Sequence, residues 1–234
     1  MPFTGQTVLI TGATGNLGKA VARVFDAEGA RLVLVGSRPE TLEAAYPARD
    51  TRHLGLAVDL TDKAASERMV AEAEQACGGI DVICAIAGGF TAGKPVHETA
   101  PADWDRMMAT NVFTMLNVVG PAIPGMIARK AGKIVTVGAN SAIKGAANTG
   151  AYISSKSTVM RLTESMSAEL RQHGINVNCV LPSTIDTPEN RQAMPKADPS
   201  RWVKPEDLAA VIVFLCSEGA AATHGALVPV IGLS

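Results

Sequence analysis

Apolar positions along this chain fall into two alternating rhythms. Short unbroken runs rich in Val, Ile and Leu predict strands at residues 7–11, 31–36, 53–58, 82–87, 133–137, 176–181 and 227–231. Between them, apolar residues recur every three to four positions and predict helices near residues 16–28, 38–46, 62–77, 101–129, 151–173 and 204–217. In the last but one of these, Val159, Leu162, Met166 and Leu170 form one stripe. Strand runs without polar alternation belong to strands covered on both faces. Strand–helix alternation from end to end therefore predicts an α/β fold: a doubly wound parallel sheet of about seven strands with helices on both faces. No composition break, repeat or low-complexity tract divides the chain, so residues 1–234 are expected to form a single domain. One long irregular stretch, residues 182–202, follows the sixth strand. In open α/β sheets ligands lie beyond the carboxyl ends of the strands, which makes this stretch a candidate substrate loop.

The first turn carries the first chemistry. The segment TVLITGATGNLGKAVARVF sets Gly12, Gly15 and Gly18 between strand and helix, with Thr14, Asn16 and Leu17 among them. Gly12 permits a tight turn, Gly15 lets backbone approach a pyrophosphate, and Gly18 lets the helix pack closely on the sheet. The helix N-terminus then faces the anion. This is a Rossmann-like dinucleotide site, confirmed by its place after a strand and before a helix. About 20 residues further on, an acidic residue would bind the ribose hydroxyl of NAD. Here Ser37 and Arg38 stand in VLVGSRPE. A serine and a guanidinium suit a 2′-phosphate that a carboxylate would repel, so NADP(H) is favoured, with NAD(H) an alternative.

In TGAYISSK, Tyr152 and Lys156 stand four residues apart, on one face of a helix. A free phenol titrates near pH 10 and is a poor proton carrier at neutrality. An ammonium about 5 Å away, at an effective dielectric of about 20, is worth roughly 3 kcal/mol, or about two pH units. That would bring Tyr152 into the range of general acid catalysis.

Composition narrows the field. The formal charge is −1, and two Trp, two Tyr and five Phe leave little surface for base stacking, so no nucleic-acid partner is expected. No basic leader precedes an apolar stretch, and no apolar run reaches the ~18 residues of a membrane span, so neither a signal peptide nor a membrane partner is expected. Cys77, Cys84, Cys179 and Cys216 are scattered without metal-ligand or redox spacing, which predicts buried free thiols in a reducing cytoplasm. His53, His97, His173 and His224 make no ligand pair, are read as surface or loop residues, and imply no metal site.

Together these residues resemble the short-chain dehydrogenase/reductase superfamily over essentially the whole chain. The resemblance adds Asp59 and Leu60 in AVDLTD, with Asp59 implied to hold the adenine. It adds Ala87, Gly88 and Gly89 beside the cofactor. It also adds Asn111 in ATNVF, implied to order a water near the catalytic lysine. Pro182, Ser183, Ile185 and Thr187 match the segment that closes over the nicotinamide. The family's pairing of its two long helices across a two-fold axis implies a homodimer or homotetramer.

Three departures matter. Asn16 stands where most single-domain members have glycine, and the usual Asn-Asn-Ala-Gly reads Ala85-Ile86-Ala87-Gly88. The catalytic serine, expected 13 residues before the tyrosine, is Ala139, with Asn140 and Ser141 following as substitute donors. A narrower resemblance, to quinonoid dihydropteridine reductases, accounts for that alanine. It covers the Ala87-Gly88-Gly89-Phe90 turn and Asp186-Thr187-Pro188, Asn190-Arg191, Met194-Pro195, Ala197-Asp198 and Trp202. Phe90 and Trp202 are expected as apolar walls for a flat acceptor, and Asn190 and Arg191 as polar contacts. The expected activity is hydride transfer from NADPH to a small conjugated acceptor. The alternatives are an ordinary carbonyl or alcohol oxidoreductase using Ser141 or Asn140, and a non-catalytic NADP-sensing protein.

Overall fold

The computed structural model describes residues 1–47 and 50–233. Seven strands, β1 (Thr7–Thr11), β2 (Arg31–Gly36), β3 (Leu54–Ala57), β4 (Val82–Ala85), β5 (Gly132–Val137), β6 (Ile175–Pro182) and β7 (Leu227–Val230), form one sheet in the order β3-β2-β1-β4-β5-β6-β7. All six pairings are parallel. The helices are α1 (Asn16–Ala27), α2 (Pro39–Ala45), α3 (Lys63–Cys77), α4 (Pro101–Met108), α5 (Thr114–Arg129), α6 (Gly150–Leu170), α7 (Pro188–Ala193) and α8 (Pro205–Cys216).

Strand side chains alternate between two cores, as the pleat requires. Val8 and Ile10 of β1 join Val21 and Phe25 of α1 and Leu208 and Ile212 of α8 on one face. Leu9 between them joins Met69 of α3, Val118 of α5 and Val159 of α6 on the other. The strand order reverses between β1 and β4, and at such a switch point the loops diverge and leave a crevice at the carboxyl ends.

Three elements differ from expectation. The helix anticipated over residues 101–129 is interrupted by a π-helical turn, Ala109–Phe113, between α4 and α5. The extra residue of such a turn re-aims neighbouring side chains, and it carries Asn111. Residues 182–202 are not irregular throughout: Thr187 caps α7 by accepting from the Asn190 amide at 3.2 Å, and Pro188 opens the helix. A further bridge joins Ile185 to Val203, so both ends of the segment are tied together. His53 is not a surface residue. Its side chain is 5% exposed, its Nδ1 accepts from the Leu32 amide at 3.1 Å, and its Nε2 lies 2.9 Å from Asp26. It stands in the loop one residue before β3, where these two partners hold its ring under cover. The four cysteines are free, and Cys84, Cys179 and Cys216 are buried.

The joined stretch Pro101–Arg129 is long and apolar enough to cross a membrane by length and composition. Its apolar side chains Val112, Met115, Val118, Val119 and Met126 are buried against the sheet and α3, the role of a core helix.

Candidate active site

The crevice at the switch point is lined by the glycine turn. Gly12 has φ +63°, and a Cβ there would stand 3.1 Å from the Ala87 backbone. A Cβ on Gly18 would lie 2.2 Å from the Gly12 carbonyl oxygen, which no side chain can do without moving backbone. Gly15 caps α1 with no side-chain bond to the helix amides, and its open side meets nothing closer than 3.4 Å. The turn therefore presents free N–H groups and no side-chain bulk, the form that accepts a phosphate. Thr14 packs toward Gly36, while Leu17 is buried and anchors α1. Ser37 and Arg38 are exposed at the carboxyl end of β2, and Arg38 is the N-cap residue of α2. Asp59 lies exposed beyond β3, where the Thr61 hydroxyl and amide hydrogen-bond to its carboxylate at 2.7 and 2.9 Å and hold it below the usual carboxylate range. The adjacent Leu60 is buried, and its carbonyl accepts from Asn117 at 2.9 Å. These groups lie at the ends of β1, β2 and β3 in the order a dinucleotide needs, and they fit a nicotinamide dinucleotide.

The Ala87-Gly88-Gly89 turn is held from both sides. Thr11 Oγ1 accepts from the Ile86 and Ala87 amides, each at 3.0 Å. Asn111 accepts from the Gly89 amide at 2.9 Å and donates to the Gly89 carbonyl at 3.1 Å and to Ser155 Oγ at 3.0 Å. Its side chain thereby staples the β4 turn to α6. A Cβ on Gly88 would come within 2.7 Å of Asn111 Oδ1 and 3.2 Å of Lys156 Nζ, so only glycine fits between them. The sequence reading missed Thr11 and Ser155. Their signal was small: a hydroxyl one residue before Gly12, and one residue before Lys156.

Tyr152 and Lys156 project from α6 toward this turn. Lys156 is buried, donates to the Val137 carbonyl at 2.8 Å, and is pushed down to about 8 by burial. Tyr152 is half-buried and pushed up to about 12, also by burial. The expected lowering of the phenol by the lysine is therefore absent here. Desolvation of the phenol dominates, and the ammonium is directed at the end of β5. Phe90 packs edge-on against Tyr152 with ring centroids 4.8 Å apart, although Phe90 itself is 68% exposed. Ala139 is buried in a small cluster with Ile153, Leu181 and Tyr152. Ser141 is exposed and Asn140 half-buried in the short turn Asn140–Ile143, and among the described residues neither bonds to the Tyr152 hydroxyl.

The substrate segment spends its polar groups on itself. Asn190 donates to the Ile185 carbonyl at 2.8 Å, and Arg191 makes two bonds to Asp186 at 2.6 and 2.7 Å. Both expected substrate contacts thus brace the loop. Ser183 donates to the Ile231 carbonyl at 2.9 Å and its amide to the Val230 carbonyl, tying the end of β6 to the chain beyond β7. Trp202 is half-buried at the other end of the segment. Asn16, in place of the usual glycine, reaches across the crevice and donates to Glu189 of α7 at 2.9 Å. The glycine turn and the substrate loop are joined by that bond.

This geometry agrees with known proteins. The chain is 31% identical to dehydrogenase/reductase SDR family member 6 of Aquarana catesbeiana, covering 94% of each chain. It is 32% identical to meso-2,3-butanediol dehydrogenase of Serratia marcescens, covering 99% of this chain and 95% of that one. Its fold overlays that of levodione reductase with a TM-score of 0.91 at 30% identity, over 98% of this chain and 97% of that one. With residues 6–198 also matching the short chain dehydrogenase family model, the chain belongs to that family and is an oxidoreductase of the kind that takes NAD or NADP.

Proposed function

We propose that this protein is an NADPH-dependent reductase of a small conjugated acceptor, of the quinonoid dihydropteridine type. The observation that carries the reading is Ala139: buried beside Tyr152, it brings no hydroxyl to the position 13 residues before the tyrosine. An isolated ketone profits from two donors on its oxygen, whereas a quinonoid ring is already electrophilic through conjugation. The exposed edge of Phe90 beside Tyr152 offers an apolar wall for such a ring. Ser37 and Arg38 support the preference for NADP(H).

NADPH bound to the glycine turn supplies the hydride. Tyr152 donates the proton from α6, one helical turn from Lys156. Lys156 holds the nicotinamide ribose hydroxyls, and Asn111 keeps the Gly88-Gly89 turn and α6 in register. Pro182, Ile185 and Thr187 close over the nicotinamide. The exposed Phe113 between α4 and α5 supports a homodimer or tetramer built on α4, α5 and α6.

A second reading, an ordinary alcohol or carbonyl oxidoreductase with Ser141 or Asn140 assisting, is favoured by the dehydrogenase names of the relatives. The two separate in kcat/KM for quinonoid dihydropterin and for simple ketones, measured in the native protein and in Ala139→Ser. The proposed function requires fast quinonoid reduction by the native protein and a gain on ketones in Ala139→Ser. Ketone reduction abolished by Ser141→Ala, with no quinonoid activity, overturns it.

A further inference from the structure

A cavity of about 250 Å³ opens at the N-terminus of α6. Its walls come from the chain just after Phe90, from α4, and from the first turn of α6, one residue before Tyr152. Lys94 and Arg106 face it, with Asp103 between them at 3.8 and 2.7 Å. Two cations and one carboxylate leave a net positive wall. Asp103 is the better covered of the three, its side chain 20% exposed against 60% for Lys94 and 56% for Arg106. It therefore orients the cations without covering their open sides. Thr91 accepts from Arg106 at 3.2 Å and adds a hydroxyl to the lining. The first amides of the 21-residue helix α6 have no side-chain cap, because the Thr149 hydroxyl turns back to the Ala146 carbonyl at 2.9 Å. The helix end adds partial positive charge to the same wall.

We infer that this cavity is an anion subsite that receives a carboxylate or phosphate borne by the substrate while the reducible group sits at Tyr152. Whole ligands fill pockets of roughly 300–1,000 Å³. This one takes a head group only, and the rest of the molecule lies over Phe90 and Tyr152. The inference rests on the reductase reading above and names the substrate class more narrowly, as acceptors carrying an acidic tail.

The test is calorimetric titration of the full-length protein, saturated with NADP⁺ so that the glycine turn is filled. The probes are cyclohexanecarboxylate and its uncharged isostere cyclohexanecarboxamide. The carboxylate is expected to bind at least about tenfold more tightly than the amide. The gap should close in Lys94→Met/Arg106→Met and survive in Arg106→Lys, which keeps the charge. Equal binding of the two probes, no binding of either, or a gap that persists in the double variant overturns the subsite. NADPH oxidation with an uncharged acceptor is followed in parallel, since it does not use these cations. Turnover that persists without an anion preference removes the subsite alone, whereas an anion preference without any turnover removes the reductase reading.

Discussion

Replacing Lys156 with methionine should make the cofactor-free protein more stable while disabling it. Lys156 is 6% exposed, and burial depresses its pKa from 10.5 to about 8. At about 1.4 kcal/mol per pH unit, that depression corresponds to roughly 3 kcal/mol of destabilisation at neutral pH. Methionine fills a similar volume without charge. It leaves the Val137 carbonyl without its 2.8 Å donor, a loss of about 1 kcal/mol. The expected net gain at pH 7 is therefore about 2 kcal/mol. The sign of the pH dependence follows from the direction of the shift. Between pH 8 and 10.5 the unfolded lysine holds a proton that the folded one has released, so native stability rises with pH across that window. By pH 9.5 the lysine penalty falls to about 1.4 kcal/mol, and the advantage of the variant shrinks accordingly. Urea denaturation of both proteins at pH 7 and pH 9.5, without cofactor, measures this. A variant less stable than native at pH 7, or a difference unchanged at pH 9.5, would show that burial of Lys156 costs the fold nothing.

Two further outcomes concern the cofactor. Native protein should prefer NADPH over NADH by at least about tenfold in kcat/KM, roughly 1.4 kcal/mol, and Arg38→Asp should reverse the order; equal efficiency with both cofactors in the native protein contradicts the role given to Ser37 and Arg38. The Asn16–Glu189 bond ties the substrate loop to the glycine turn, and the Glu189 carboxylate stands on the anion-binding side of α1 near Lys19. Glu189→Gln should therefore speed NADPH association several-fold in stopped-flow fluorescence, with Asn16→Gly doing the same; an unchanged association rate in both variants means that the loop does not gate entry.

The sheet and the dinucleotide turn were legible because their signals are local. Continuous Val/Ile/Leu runs specify strands buried on two faces, Gly18 is dictated by backbone of Gly12 and Ala13 a few residues away, and Gly12 has the positive φ of a tight turn. The π turn was not legible, since Ala109–Phe113 has ordinary helical composition and its gain is a tertiary one, the bonds from Asn111 to Gly89 and Ser155. The tyrosine was identified from spacing, but its pKa was not. Spacing places Lys156 beside Tyr152, whereas the balance between attraction and desolvation depends on what else covers the phenol, here Phe90 and the Ala139 cluster. Asn190 and Arg191 were assigned outward to substrate because a sequence does not display the local acceptors, the Ile185 carbonyl and Asp186, that occupy them. The burial of the His53 ring was hidden for the same reason: its partners Leu32 and Asp26 are distant in sequence.

The central claim is that Tyr152 is the proton donor in hydride transfer at this site. It is tested most directly by following NADPH oxidation with quinonoid dihydropterin in native protein and in Tyr152→Phe, alongside the NADPH dissociation constant of each. Removing only the hydroxyl should leave cofactor affinity within about twofold and lower kcat by about 10²-fold or more, the range expected for loss of a general acid. Near-native turnover by Tyr152→Phe would contradict the account.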